Sequence, residues 1–344
     1  MSYIKSEVNR AGDILRKADS KSVAFSDAIK TYSHFRQNFG YVLNTFQATL
    51  RKKLKNLKIQ NFIVSQRLKR VESVVIKLKR KPMDLCRMQD IGGLRVVVNS
   101  LKDVYKITQT YIDGKLSHKF CGIDDYIKDP KSDGYRSLHI KYETDYGTDE
   151  KKHYKGLKIE LQIRTKIQHS WATAVEIFST HFDKGLKTGG GKTVNKNYFN
   201  LISQCFAILE HGIKIGKNEL SLFSELKKLE NQLHIIPKLS LSKDVISTFK
   251  DKGTILVMYL VFPKDGKSST ANVYKFSNTI EGYKKANTLY VQLERNILVH
   301  GIDGNAVLVS GVDLKKVRLA YPNYFMDATK FIENVRKILD KVKD

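Results

Sequence analysis

The chain has 344 residues, with 61 Lys+Arg against 35 Asp+Glu and a formal net charge of +26. At roughly 150 residues per domain this length holds about two domains, and a composition of 41% hydrophobic and 10% aromatic residues excludes wholesale disorder. The longest apolar run, 255–262, is under half a membrane span, and no signal-type apolar segment opens the chain; a soluble cytoplasmic protein without a membrane partner is expected. Cys86, Cys121 and Cys205 are too scattered for a CxxC metal site or a disulfide framework.

The first 80 residues hold 18 Lys/Arg and 5 Asp/Glu, a net +13 and half of the whole excess. The block Arg51, Lys52, Lys53, Lys55, Lys58 suggests a polyanionic partner, nucleic acid being the commonest, although a solvated helix face would carry the same residues.

Residues 1–60 are predicted helical, with Gly40 between two amphipathic stretches. Val64, Leu68, Val71, Val75 and Leu78 recur at steps of three and four, which predicts one helix over 64–78. Arg67, Arg70, Ser73, Lys77 and Arg80 fall on another face of it. A buried strand is expected at 94–98. The segment 137–143 alternates, with Leu138, Ile140 and Tyr142 opposite Ser137, His139, Lys141 and Glu143. The segment 156–164 does the same, with Leu157, Ile159, Leu161 and Ile163 opposite Lys158, Glu160, Gln162 and Arg164. A strand has period two, so each polar set shares one sheet face. Helices are expected at 167–183 and 196–234, strands at 254–262, 272–276, 288–293 and 306–310, and a last helix at 327–342. The domains read as a basic helical segment 1–60, a catalytic domain 61–235 and a small α+β domain 236–344, with the composition changing after Pro237.

The segment Gly189-Gly190-Gly191-Lys192-Thr193 lacks the earlier glycine of a phosphate loop, since position 186 is Leu, and reads as a connector. The histidines show no zinc spacing; His169 suits a core position as well as a catalytic one. Phosphoryl transfer needs cations on the phosphates, carboxylates for Mg²⁺ and an acceptor for the hydroxyl proton. Arg67, Lys69, Lys77 and Arg80 could supply the first, and Asp90 with Glu160 the second.

Together these residues resemble the RelA/SpoT synthetase domain. The blocks are Arg67-Leu68-Lys69 with Ser73, Lys77 and Arg80; Gln89-Asp90-Ile91-Gly92-Gly93-Leu94-Arg95; Asp125-Tyr126-Ile127 with Pro130-Lys131 and Gly134-Tyr135-Arg136-Ser137-Leu138-His139; and Glu160-Leu161-Gln162-Ile163-Arg164-Thr165. The resemblance covers about 60–235. It implies an α+β fold, a nucleotidyltransferase-type mixed sheet flanked by helices, and transfer of pyrophosphate from ATP to a ribose hydroxyl. It further implies that Arg67 and Arg95 sandwich the adenine, and that Lys69, Ser73, Lys77 and Arg80 hold the triphosphate. Asp90 and Glu160 would bind Mg²⁺, with Glu160 also taking the hydroxyl proton. Tyr135 would stack on the acceptor base, and Lys131, Arg136, His139, Gln162, Arg164 and His169 would line the acceptor site. Ser132-Asp133 departs from the family pattern beside that site, and the upstream His-Asp pair of the hydrolase domain is missing.

The run Gln168-His169-Ser170-Trp171-Ala172-Thr173-Ala174-Val175-Glu176 and the terminal Tyr321-Pro322-Asn323-Tyr324-Phe325 resemble the fused toxin–antitoxin (CapRel) branch of this family. That likeness implies anti-phage defence by pyrophosphorylation of the 3′ CCA end of tRNA, with Arg51, Lys52 and Lys53 docking the tRNA. It also implies a C-terminal pseudo-zinc-finger-like antitoxin domain that lays Tyr321 and Tyr324 over the ATP site until a phage major capsid protein binds. The alternatives are an alarmone synthetase using GDP or GTP, and a catalytically silent RNA-binding module.

Overall fold

The computed structural model describes residues 3–114, 116–183, 185–186, 190–240, 254–261, 270–277, 279–302, 304–309 and 327–342. Three helices come first, α1 (Lys5–Lys17), α2 (Val23–Gln37) and α3 (Phe39–Asn56). Ser22 caps α2 by accepting from the Phe25 N–H, and Gly40 lies within the first turn of α3 rather than at a break. The helix expected over 64–78 is instead a strand, β1 (Ile63–Leu68), followed by α4 (Val71–Arg80). The step of four from Val64 to Leu68 is also a multiple of two, so it fits a strand as well as a helix. Pairing with β2 (Gly92–Val98) decides between them. The helix α5 (Leu101–Ile112) and the strand β3 (Lys119–Asp125) carry no pattern singled out above.

The strands β4 (Leu138–Glu143) and β5 (Lys158–Thr165) fall where the alternation places them. Thr165 and Gln168 form a capping box that starts α6 (Lys166–His181) directly from β5. The single helix expected over 196–234 is two, α7 (Thr193–His211) and α8 (Lys217–Leu233), because Gly212 closes α7 in the left-handed region at φ 62°. After α9 (Ile235–Ser240) come β6 (Thr254–Val261), β7 (Thr270–Ser277), α10 (Ile280–His300), β8 (Gly304–Val309) and α11 (Thr329–Leu339). The strand expected at 288–293 lies inside α10, where Ala286, Tyr290, Leu293 and Ile297 make a buried helical stripe.

The main sheet has the order β1-β2-β5-β4-β3; β2 and β5 run parallel and the other neighbours antiparallel. Leu94 and Val96, Leu161 and Ile163, and Leu138 and Ile140 share one buried face, against which α3 and α5 pack. Gly92 is required there, since a Cβ would stand 2.3 Å from the Phe39 ring of α3. The second core gathers α6, α7, α8 and α9 around Phe331, Ile332, Val335 and Ile338 of α11, so the last helix of the chain packs on the helices that follow β5. Ile235 of α9, and Ile236 and Leu239 just past the expected boundary at 235, belong to the same core. The strands β6–β8, in the order β7-β6-β8, close a small third core with α10. No helix of the described residues is long and apolar enough to cross a membrane.

Candidate active site

The sheet face opposite α3 and α5 carries the polar residues. Registers set Gly93 beside Glu160, Arg95 beside Gln162, His139 beside Gln162 and Lys141 beside Glu160, so these side chains emerge together. Ser65 pairs with Arg95 and Arg67 with Gly93, which brings β1 onto the same face. Arg67 and Arg95 therefore share the face on adjacent strands.

Five residues close a ring of hydrogen bonds. His139 Nδ1 and Glu160 Oε1 are 2.9 Å apart, and His139 Nε2 is 2.8 Å from the Tyr135 hydroxyl. Arg164 Nη2 donates to that hydroxyl at 3.4 Å and to Gln162 Oε1 at 2.7 Å. Gln162 Nε2 returns to Glu160 Oε2 at 2.8 Å. Tyr135 enters this ring from Gly134, whose φ of 88° no L side chain adopts readily and where a Cβ would press to 3.0 Å from the Asn200 backbone. The Tyr135 ring lies edge-on to Trp171, and Lys131 Nζ sits 5.1 Å from its centroid and 4.4 Å from that of Tyr126.

The ring sets the protonation states. Burial pushes Glu160 up, yet the His139 hydrogen bond and charge outweigh it and hold the carboxyl at about 2. Burial lowers His139, but Tyr135 and Glu160 raise it on balance. Burial also raises Tyr135, and here the Arg164 and His139 charges prevail and bring the phenol down to about 7.

A second cluster stands where β1 turns into α4. Lys69 Nζ donates to Asp90 Oδ2 at 2.9 Å and Lys77 Nζ to Asp90 Oδ1 at 2.8 Å. Burial alone would raise Asp90, but the two ammoniums hold it at about 2. Lys69 is itself lowered by burial. The Lys69 N–H bonds the Ile91 carbonyl at 2.8 Å, which ties the lysine's backbone to the residue after Asp90. Ser73, Lys77 and Arg80 follow one another at helical steps on α4, half-buried at Ser73 and exposed at Arg80.

Several expected residues stand apart from this face. Arg136 points away, into a buried ion pair with Glu210 of α7 at 2.6 Å. His169 is buried on α6. Arg51 and Lys52 are exposed on α3, behind the sheet, whereas Lys53 is engaged with the Thr110 carbonyl at 2.8 Å and the Tyr111 ring at 4.8 Å. Tyr321 and Tyr324 lie outside the described residues. Asp124, absent from the expected site residues, pairs with Lys141 at 2.5 Å and accepts from the Tyr126 hydroxyl at 3.0 Å. Lys141 lies on the polar alternation of β4 beside His139, a signal that could have found this pair.

No group of three or more His, Cys, Asp or Glu among the described residues is placed to hold a metal ion. Asp90 and Glu160 are near enough for Asp90's charge to act on Glu160, and both are ionised. Two ionised carboxylates suit Mg²⁺, which binds through one or two of them with substrate phosphates and water supplying the remaining oxygens.

Residues 66–179 match the family model described as "Region found in RelA / SpoT proteins". The segment is similar to that region, and the match takes in a minority of the chain. Similar curated proteins include GTP pyrophosphokinase YwaC of Bacillus subtilis, 32% identical over 113 residues, covering 31% of this chain and 52% of that protein. The probable GTP diphosphokinase RSH3 of Arabidopsis thaliana chloroplasts is 36% identical over 121 residues, covering 35% of this chain and 15% of that protein. The chain thus spans about half of the shorter relative and far less of the longer one. Among solved structures, small alarmone synthetase 1 of Bacillus subtilis bound to its product pppGpp superposes with a TM-score of 0.46 at 21% identity, over 60% of this chain and 99% of that one.

Proposed function

We propose that this chain is a pyrophosphokinase that moves the β,γ-diphosphate of ATP onto a ribose hydroxyl. The observation that carries the reading is the closed ring that keeps Glu160 ionised near the Lys69–Asp90–Lys77 cluster. Lys69 and Lys77, with Ser73 and Arg80 along α4, take the phosphates, and the planar guanidiniums of Arg67 and Arg95 take the adenine. Tyr135 and Lys131 form the platform for the acceptor base. The ribose oxygen bonds to the β-phosphorus, the bond from that phosphorus to the α,β-bridging oxygen breaks, and AMP leaves with the electron pair. The hydroxyl proton passes to Glu160, whose carboxylate His139 and Gln162 hold in place. A carboxylate held at about 2 is a weak base, so the proton moves late, once the new bond has acidified the hydroxyl. Asp90 and Glu160 would hold Mg²⁺, which neutralises phosphate charge as it develops.

The acceptor we favour is a guanosine 5′-di- or triphosphate, since GTP is the nucleotide named in the relatives that share the region. A second reading takes the tRNA 3′ CCA end as acceptor, with the C-terminal unit as inhibitor and a phage capsid protein as trigger. The net charge of +26 and the exposed Arg51 and Lys52 favour it. The test is transfer of label from γ-³²P-ATP with Mg²⁺ into GDP, GTP or bulk tRNA, with and without capsid protein. Label in GDP or GTP supports the first acceptor and label in tRNA the second; label in none, with folded protein present, refutes pyrophosphate transfer.

A further inference from the structure

The phosphate cluster is joined to the C-terminal unit by a buried chain of contacts. Arg36 of α2 is 2% exposed and Glu294 of α10 is 5% exposed, and Arg36 Nη2 donates to Glu294 Oε2 at 2.8 Å. The guanidinium lies between two rings, 4.9 Å from the Tyr290 centroid and 5.3 Å from that of Tyr32. Its other nitrogen, Nη1, donates to the Lys69 carbonyl at 3.2 Å, and the Tyr32 hydroxyl donates to the same carbonyl at 2.6 Å. Lys69 is thereby held on both sides of its backbone, by Ile91 through its N–H and by α2 through its carbonyl. Its side chain reaches Asp90.

A structural ion pair could sit anywhere between α2 and α10. This one shares its cation with the backbone of the residue that reaches the Asp90 carboxylate. Arg36 needs a planar fork to serve both acceptors at once, which lysine lacks. Glu294 compensates the buried guanidinium, and without it Arg36 would be drawn toward water and away from Lys69.

We propose that Glu294, Arg36 and Tyr32 are positioning residues for the ATP phosphates, so that docking of α10 on α2 assembles the donor subsite. The proposal rests on the reading of the site as an ATP pyrophosphokinase. It takes the C-terminal unit to support the donor site, whereas an inhibitory unit would suppress it.

The test uses the full chain and the variants Glu294→Gln, Arg36→Lys and Tyr32→Phe, the last removing one hydroxyl and keeping the ring. Affinity for a non-hydrolysable ATP analogue with Mg²⁺ is measured by calorimetry, together with the Michaelis constants for ATP and acceptor and the melting temperature. Tyr32→Phe is expected to weaken the analogue about fivefold through one lost hydrogen bond. Arg36→Lys and Glu294→Gln should weaken it tenfold or more, each leaving the acceptor constant within twofold. Glu294→Asp should restore part of the loss. Unchanged analogue affinity in Tyr32→Phe and in any folded ion-pair variant overturns the relay, as does equal loss for ATP and acceptor or a gain of activity in Glu294→Gln. If the unmodified chain binds no ATP analogue, the underlying functional reading fails instead, and the relay with it.

Discussion

Replacing His139 by Gln keeps a hydrogen-bond donor near Glu160 and removes the cation, so it isolates the ionic part of their pairing. Glu160 stands at about 2 against an ordinary 4.5, a net gap of about 3 kcal/mol in which the His139 hydrogen bond and charge, helped by the Gln162 hydrogen bond, outweigh burial. Glu160's folded value is depressed, so its contribution is complete above pH 4.5 and fades as pH falls toward about 2. His139's folded value is raised above 6.5, so its contribution is complete below pH 6.5 and fades as pH rises through that raised value. The penalty for His139→Gln should therefore plateau between pH 4.5 and 6.5 and shrink on both sides. Trp171, the one tryptophan of the chain, is buried with its ring centroid 6.4 Å from that of Tyr135, and its fluorescence reports urea unfolding from beside the site. A penalty that stays flat from pH 3 to 9 would refute the argument, because it would mean that a neutral histidine supplies all of the pair's worth.

Two further outcomes follow from the same geometry. Tyr135 should ionise near pH 7, giving a tyrosinate absorbance step of one residue that vanishes in Tyr135→Phe; a step that survives the substitution would mean that Arg164 and His139 do not act on this phenol. Arg136→Met alone should cost about 3–5 kcal/mol in urea unfolding by stranding buried Glu210, and Arg136→Met with Glu210→Leu should recover most of it. A double variant no more stable than the single one would show that the pair is not the cause.

The polar sheet face was more legible than the fold around it. Glu160, Gln162 and Arg164 could be placed on one face from alternation alone, because β5 is buried on one side and period two admits one solution. That His139 would meet Glu160 needs the β4–β5 register, which depends on pairing across 21 residues and has no local signal. The helix expected over 64–78 failed because steps of four satisfy both periods, and only the pairing of β1 with β2 separates them. The strand expected at 288–293 failed for a related reason: a short apolar run reads either way, and the 21-residue length of α10 emerges from its burial on β6–β8. The motif points Arg136 at the acceptor, but its partner Glu210 lies 74 residues on and leaves no local signal.

The chain uses its positive charge in two physically different ways. Over the sheet face each carboxylate is matched: Asp90 by Lys69 and Lys77, Glu160 by His139. Such pairs fix side chains in place because burial makes an unmatched charge expensive. Arg51 and Lys52 on α3 are exposed behind the sheet, where solvent and salt screen their charge. Their effect on anions is one of encounter, and it scales with the number of phosphates the partner carries. A mononucleotide gains little from them, whereas a polynucleotide reaching round the sheet edge gains at every contact. Under the proposed transfer reaction, the basic helix would bear on which acceptor arrives and the sheet face on what happens to it, so that a change in one should leave the other's contribution intact.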